Sequence, residues 1–237
     1  ALTRQMNDPA YFYQLNDKIE FDTIFSDLLK RRFLDLRKTD AAGLRDFCAG
    51  TEAIFCKPAG LCGGEGIQRL ITADIDDYDA LYDRLVKGGQ LLIEEPIRQH
   101  PDMNKLCPDS VNTVRIVTLV TAQGAQMVYA LVRMGMGGVC VDNVSSGGMY
   151  APVNEHGQLY RPAFCDKTGK YYERHPVTGT EIMGFQIPLF DQALERLRYV
   201  PERRPCGRGY AAPVREAAGP PHYVMKPYAA PRGAKQR

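Results

Sequence analysis

The stretch from Phe55 to Ile67, FCKPAGLCGGEGI, carries the strongest local signal in this chain. An apolar strand ends at Lys57, and a loop with four glycines follows it. Glycine lets backbone N–H groups approach phosphate oxygens closely, and a neighbouring ammonium group neutralises their charge. In a P-loop the lysine follows the glycines, and a Rossmann fingerprint carries no lysine, so neither motif fits. Two interpretations remain, a phosphate-binding loop of another type or an ordinary glycine-rich hairpin turn with a solvated lysine.

The composition is that of a globular protein, with 237 residues of which 44% are hydrophobic and 24% are charged. This length buries a core without metal or disulfide support, and the longest apolar stretch is too short to cross a bilayer. The seven cysteines are odd in number and never in C-x-x-C spacing, which favours free thiols in a reducing compartment. The first residues given show no basic stretch followed by an apolar one, so nothing in them predicts export. We therefore expect a cytoplasmic protein with no membrane span.

The net charge of +2 conceals an uneven distribution along the chain. Residues 201–237 carry an excess of six positive charges, and the preceding 200 residues carry an excess of four negative charges. The mildly acidic body does not predict a nucleic-acid surface. Residues 201–237 also hold seven prolines and four glycines, a composition typical of disordered sequence. We expect this segment to be a disordered tail.

Hydrophobic periodicity predicts helices that alternate with hairpins, and therefore an α+β fold. Helices are expected from Asp17 to Arg37, from Asp40 to a stop at Gly50, from Asp74 to Lys87 and from Leu189 to Tyr199. Strands are expected at 53–57, 67–72 and 90–93, as a hairpin within 111–133 around a turn at 122–125, and as a shorter hairpin within 151–164.

A second candidate segment is the strand Leu91–Ile97, LLIEEPI, which ends in two carboxylates and a proline. The end of such a strand can offer backbone groups to a purine edge while a carboxylate holds a ribose hydroxyl. Taken alone, the segment favours the simpler interpretation, a strand followed by a solvated acidic turn.

Two arginines stand in otherwise apolar strands. Arg115 lies within the stretch 111–118, Arg133 directly follows the apolar stretch 129–132, and Asn143 lies in the polar loop beyond. A guanidinium group in such a place must be paired or must face a ligand, and it suits phosphate and carboxylate because it donates two parallel hydrogen bonds. A structural ion pair with a nearby carboxylate is the competing interpretation. The four histidines are dispersed, without metal-ligand spacing.

Five segments taken in order resemble the ATP-grasp superfamily, and more narrowly its sugar-transfer-associated branch. They are LNDKI at 15–19, Lys57-Pro58 with its glycine loop, LIEEPI at 92–97, NTVR at 112–115 and VDNVSSGG at 141–148. The resemblance runs from Leu15 to Tyr199. It implies an α+β ATP-grasp fold of two subdomains with nucleotide held between antiparallel sheets. Residues 1–97 would form the N-terminal subdomain, 98–200 a truncated C-terminal subdomain, and 201–237 the tail.

The resemblance also implies site residues. Lys18 and Lys57 would match the two phosphate-binding lysines of the family, and Gly63, Gly64 and Gly66 would form a flexible lid over the β- and γ-phosphates. Glu94, Glu95 and Ile97 would hold adenine and ribose, mostly through backbone atoms. Arg115, Arg133 and Asn143 would face the transferred phosphate and the acceptor.

The implied activity is that of an ATP-dependent carboxylate ligase with ATP and Mg2+ as cofactors. Such an enzyme phosphorylates a carboxylate and lets an amine or another nucleophile displace the phosphate. The acceptor would be a small-molecule carboxylate or a sugar-linked compound, in the setting of surface-polysaccharide biosynthesis. Two alternatives remain, a degenerate module that binds nucleotide or a partner without catalysis, and a small-molecule kinase.

The sequence departs from the family pattern at both ends. Beyond the final helix, members normally carry a D…E-x-N segment that ligates magnesium, whereas residues 201–237 offer only Glu202 and Glu216 as carboxylates. We therefore assign no metal ligands from the sequence. A shifted reading frame and a divergent terminus would both explain this segment. At the other end, the amino-terminal domain is expected to be shortened or absent.

Overall fold

The computed structural model divides into two units, an N-terminal unit of the described residues up to 98 and a C-terminal unit of the described residues from 99 onwards. The structure describes residues 16–29, 31–61, 65–121, 124–138, 142, 144–203 and 209–215. None of the helices within these ranges has the length and apolar character needed to cross a membrane.

The N-terminal unit is a four-stranded antiparallel sheet with helices. Its strands run in the order β1-β4-β2-β3, so the first strand of the unit pairs with the last. The elements are α1 (Lys18–Ile24), β1 (Phe33–Asp35), α2 (Ala41–Cys48), β2 (Ala53–Lys57), β3 (Gln68–Ile71), α3 (Tyr78–Lys87) and β4 (Leu92–Glu94), with short 3-10 turns at Leu36–Lys38 and Thr72–Asp74.

An aspartate caps each helix of this unit. Asp17, Asp40 and Asp77 accept hydrogen bonds from backbone N–H groups in the first turn of α1, α2 and α3. The apolar faces of α2 and α3 meet the sheet in a cluster that includes Leu44, Leu85 and Ile93, all fully buried. This packing fixes the ends of β2 and β4, the two central strands.

Two predicted boundaries in this unit are wrong. The helix expected from Asp17 to Arg37 ends at Ile24, because Phe33–Asp35 pairs with β4 as strand β1. The helix expected to begin at Asp74 begins after Asp77, since residues 72–74 form a 3-10 turn.

The C-terminal unit contains a six-stranded antiparallel sheet in the order β10-β5-β6-β7-β8-β9. A β-bulge lies between Val117 and Thr118 in the pairing of β5 with β6. The elements are α4 (Pro101–Asn104), β5 (Thr113–Thr121), β6 (Gly124–Met134), a 3-10 turn (Val144–Ser146), β7 (Met149–Val153), β8 (Ala163–Cys165), β9 (Lys170–Tyr172), α5 (Phe190–Arg203) and β10 (Gly209–Arg215).

The two faces of this sheet differ in exposure. Ala130, Val132 and Met134 of β6 are buried, and helix α5 packs against this strand with Phe190 and other apolar residues buried. The alternating residues of β6 point to the opposite face. That second face carries Arg133 and is only partly covered.

The end of the chain differs from the sequence prediction. Helix α5 continues to Arg203, past the expected end at Tyr199, and Gly209–Arg215 pairs with Thr113–Leu119 as strand β10. Part of the segment expected to be a disordered tail is thus a sheet strand. The rest of the predicted tail, residues 204–208 and 216–237, lies outside the described residues.

A buried thiol links three loops of the C-terminal unit. Cys107 is fully buried, the Ser110 hydroxyl lies 3.6 Å from its sulfur, and the His175 ring bonds the Gly135 carbonyl at 2.8 Å. Burial acts to raise the pKa of the Cys107 thiol. Hydrogen bonds from His175, Ser110 and the backbone at 109–110 together have the larger, opposite effect and lower the pKa to about 7.

This thiol predicts a pH dependence of stability. The ordinary pKa of a thiol is 9.0, so between pH 7 and 9 the unfolded chain binds more protons at Cys107 than the folded chain. The free energy of unfolding should therefore rise from pH 7 to pH 9, and Cys107→Ala should remove this rise in urea titrations. Cys56→Ala is the control, because burial raises the pKa of that thiol to about 12, so its own contribution sets in only as the pH approaches 9 and has the opposite sign. Equal pH slopes for the chain and Cys107→Ala would contradict the prediction.

Candidate functional site

Lys57 and Glu94 form a buried ion pair at the ends of the two central strands of the N-terminal unit. Lys57 is the last residue of β2 and Glu94 the last of β4, and these strands are paired. The Lys57 ammonium contacts the Glu94 carboxylate, and both residues are almost fully buried. The glycine-rich loop thus leaves the sheet beside two opposite charges held away from water.

Arg31 extends this pair into a network of four charges. Its guanidinium contacts the second carboxylate oxygen of Glu94 and lies 3.4 Å from Asp22 Oδ2 of helix α1. Burial lowers the pKa of Arg31, although Asp22 and Glu95 raise it. Among the described residues, two cations and two anions balance within the network, as buried charges require.

Glu95 and Ile97 lie differently. Glu95 is partly exposed and accepts hydrogen bonds from the backbone N–H of Arg32 at 2.8 Å and from its Nε at 3.2 Å. Ile97 is half-buried in the irregular segment after β4. The two adjacent glutamates thus differ in environment, because the Glu94 carboxylate is buried inside the unit and the Glu95 carboxylate lies at its surface.

Lys18 holds the start of the glycine-rich loop. Its ammonium donates to the carbonyl oxygens of Pro58 at 2.8 Å, Ala59 at 3.4 Å and Leu61, and its backbone N–H donates to Ala59 at 2.9 Å. The first residue of α1 therefore meets the loop that begins after Lys57. Gly63, Gly64 and Asn143, which the sequence also singled out, lie outside the described residues.

Gly66, where the loop returns towards β3, has a backbone that only glycine adopts easily. Its φ is +70°, and a Cβ there would lie 2.8 Å from Pro58 Cγ. We expect Gly66→Ala to lower the free energy of unfolding by about 1–2 kcal/mol, measured by urea titration. Gly60→Ala in the same loop is the control, because a Cβ at Gly60 meets nothing within 4 Å. Equal losses in the two variants would contradict this account.

Arg115 and Arg133 share one face of the C-terminal sheet. The register pairs Thr113 with Arg133 and Arg115 with Leu131, so the two arginines are diagonal neighbours. Asp142, which is buried, accepts from Arg133 Nη2 at 3.2 and 3.4 Å and from the Thr113 backbone N–H at 3.1 Å. Burial lowers the pKa of Arg133, while Asp142 raises it. The carboxylate thereby orients one guanidinium group on this face.

Three of these residues were not predicted from the sequence: Asp22, Arg31 and Asp142. Asp142 stands beside Asn143 in the stretch already singled out, so its charge was a usable signal. Arg31 carried no such signal, because it was expected within a long helix and its partner Glu94 is 63 residues away. Within the described ranges, no group of three or more His, Cys, Asp and Glu side chains is arranged to hold a metal ion.

Solved structures with similar folds include several ATP-grasp enzymes. The ATP-grasp ligase PsnB with minimal precursor, Mg and ADP has 15% identity and a TM-score of 0.52, and the match covers 97% of this chain and 55% of that one. D-cycloserine synthetase DcsG has 12% identity and a TM-score of 0.53, and the match covers 93% of this chain and 64% of that one. N5-carboxyaminoimidazole synthetase from Staphylococcus aureus with ADP has 8% identity and a TM-score of 0.54, and the match covers 93% of this chain and 46% of that one.

These similarities confirm the predicted α+β ATP-grasp fold. The chain spans about half the length of PsnB, since the matches cover 54% and 55% of the PsnB chain in two of its structures. No curated protein sequence matches the chain. Residues 1–202 match the family described as sugar-transfer associated ATP-grasp, so the match stops where the proline- and arginine-rich segment begins. The chain belongs to the sugar-transfer associated ATP-grasp family.

Proposed function

We propose that this protein binds ATP and uses it as a carboxylate ligase. In this proposal Lys18 and Lys57 hold the phosphates, and the loop with Gly63, Gly64 and Gly66 covers them. Glu94, Glu95 and Ile97 border the adenine and ribose, mainly through backbone atoms. Arg115, Arg133 and Asn143 hold the phosphoryl group and the acceptor.

One observation carries the proposal: two lysines from separate elements meet the same glycine-rich loop. Lys18 bonds its first carbonyl groups from helix α1, and Lys57 precedes it at the end of β2. Two ammonium groups at the start of a glycine-rich loop suit phosphate, because an ammonium group neutralises its charge and glycine lets backbone N–H groups approach its oxygens. A structural turn needs no second lysine, which favours the phosphate-binding interpretation of the stretch.

The proposed reaction proceeds in two steps. An oxygen of the acceptor carboxylate attacks the γ-phosphorus of ATP, the bond from that phosphorus to the bridging oxygen breaks, and ADP leaves with the electron pair. An amine or another nucleophile then attacks the acyl carbon, loses its proton and displaces inorganic phosphate. The arginines oppose the negative charge on the transferred group, so their contribution is orientation and electrostatic stabilisation.

Magnesium does not fit the described residues as a protein-held ion. Mg2+ is bound by oxygen ligands in near-octahedral geometry, usually one or two carboxylates together with phosphates and water. Strand β10 follows α5, where the family's metal-binding segment is expected, and its sequence GYAAPVR contains no carboxylate. We assign no step to the metal.

The test is ADP release from the purified chain with ATP and a panel of carboxylates, each with and without hydroxylamine as the nucleophile. The expected result is ADP release that depends on a carboxylate, with a hydroxamate formed when hydroxylamine is present. A stable phosphorylated product would instead support a small-molecule kinase. Absence of ATP binding in isothermal titration would overturn the proposal. The sugar-linked acceptor and the link to polysaccharide biosynthesis belong to the same proposal and rest on the family.

A second candidate function is nucleotide binding without catalysis. The lack of a carboxylate in β10 favours it, because that strand follows the last helix. ATP binding by titration without ADP release across the acceptor panel, with Mg2+ or Mn2+ supplied, is the result that would select this function over the ligase.

A further inference from the structure

A groove of about 460 Å3 runs along strands β6 and β7 of the C-terminal unit. The register places Tyr150 opposite Arg133 and Pro152 opposite Leu131, and the alternation of β6 puts Tyr129 on the same face. The groove floor therefore continues the sheet face that carries Arg133. Its volume lies within the usual range of small-molecule sites, roughly 300–1,000 Å3.

Three tyrosines shape the groove. Tyr129 and Tyr160 are exposed by 51% and 50%, although large aromatic side chains are usually well buried. Tyr150 of β7 lies at the end of the groove that is level with Arg133, and its hydroxyl donates to Asp166 at 3.4 Å, which fixes the ring. The β-bulge beside Thr118 inserts Val128 into β6 next to Tyr129, and bulges redirect side chains in this way.

The polar groups at the groove are few and nearly balanced in charge. Glu155 is the only charged residue among its described lining, and it lies 3.6 Å from the His156 ring. The Arg161 guanidinium, just outside the lining, lies 5.9 Å from the Tyr160 ring centroid. An anionic ligand would meet the carboxylate, and a cationic ligand would meet the guanidinium. The balance favours a neutral ligand with both apolar and hydroxyl surfaces.

We propose that this groove binds a pyranose ring of the acceptor, an inference that rests on the proposed function and gives the acceptor a site. The axial C–H groups of a pyranose pack against the electron-rich faces of aromatic rings. No hydrogen bond ties the Tyr129 and Tyr160 hydroxyls to other described residues, so they remain available to sugar hydroxyls. Because Tyr150 lines the groove and is the sheet neighbour of Arg133, the groove opens on the same sheet face as the arginine assigned to the phosphoryl group.

The test is saturation-transfer NMR on the full chain with methyl glucopyranoside, N-acetylglucosamine and maltose, and with tetramethylammonium as a cationic probe. Tyrosine fluorescence gives a second readout, because the chain has no tryptophan. Saturation of the pyranose ring protons is expected, with about tenfold weaker binding in Tyr129→Ala and in Tyr160→Ala. Tyr129→Phe should retain most of the affinity, since it keeps the ring.

Tyr171→Ala is the matched control, because Tyr171 is 73% exposed and lies outside the groove. Circular dichroism and urea unfolding of each variant separate lost binding from lost folding. Absence of sugar binding, binding of tetramethylammonium in its place, or equal sugar affinity in Tyr129→Ala and Tyr171→Ala would each overturn the inference. ATP titration of the same preparation keeps the two proposals apart, since nucleotide binding without sugar binding leaves the proposed function standing.

Discussion

Replacing Lys57 with methionine is expected to weaken ATP binding by roughly ten- to hundredfold in isothermal titration. The methionine keeps the length of the side chain but removes the ammonium group, and a hydrogen bond to a charged group contributes about 1.5–3 kcal/mol. Glu94 keeps its contact with Arg31 in this variant, but the buried network loses one of its cations, so a loss of stability is expected as well. Urea unfolding of the variant measures that loss separately, and the titration is made on the folded protein.

Lys38→Met is the matched control for this substitution. Lys38 lies in the same unit but is 72% exposed, and its ammonium is 3.8 Å from Asp35. We expect unchanged ATP affinity in this variant. Equal affinity for ATP in the Lys57 and Lys38 variants would remove Lys57 from the proposed site.

Replacing Glu94 with alanine is expected to cause the largest loss of stability. The change leaves the Arg31 guanidinium and the Lys57 ammonium buried without their shared carboxylate. Removing one partner of a buried ion pair costs about 3–5 kcal/mol, a large share of the stability of an ordinary domain. The free energy of unfolding from urea titration measures this loss.

The neighbouring Glu95→Ala provides the control. Glu95 pairs with Arg32, whose side chain is 51% exposed, so the loss should stay within about 1 kcal/mol. Similar losses in the Glu94 and Glu95 variants would show that the buried network does not contribute as its geometry indicates. The comparison is clean because the two residues are adjacent and differ chiefly in burial.

Local features of this fold were predictable from sequence. The cap at Asp40 and the hairpin of β2 and β3 follow from residues close together in the chain, and both are present. Strand β1 was not predictable, because residues 33–35 follow a helical pattern and become a strand only by pairing with β4, far along the chain. Distant pairing of this kind overrides local propensity.

The site shows the same division. Lys57 and Glu94 were selected from their own segments, but their contact depends on the strand order β1-β4-β2-β3, which no local pattern encodes. Arg31 was missed for the same reason, since its carboxylate partner is set by the sheet. The roles assigned to the site residues in nucleotide binding stay predictions until the titrations are made.

Strand β10 has a consequence for association between molecules. It lies at the edge of the six-stranded sheet and covers β5 from Thr113 to Leu119. Pro213 makes β10 a poor template for further pairing, because proline lacks an N–H, whereas β5 without β10 would present an unbroken row of N–H and C=O groups on which sheets of separate molecules join. A chain shortened after Arg203 should therefore aggregate more readily than the full chain in light scattering, so a segment outside the family match would protect the solubility of the sheet to which it is joined.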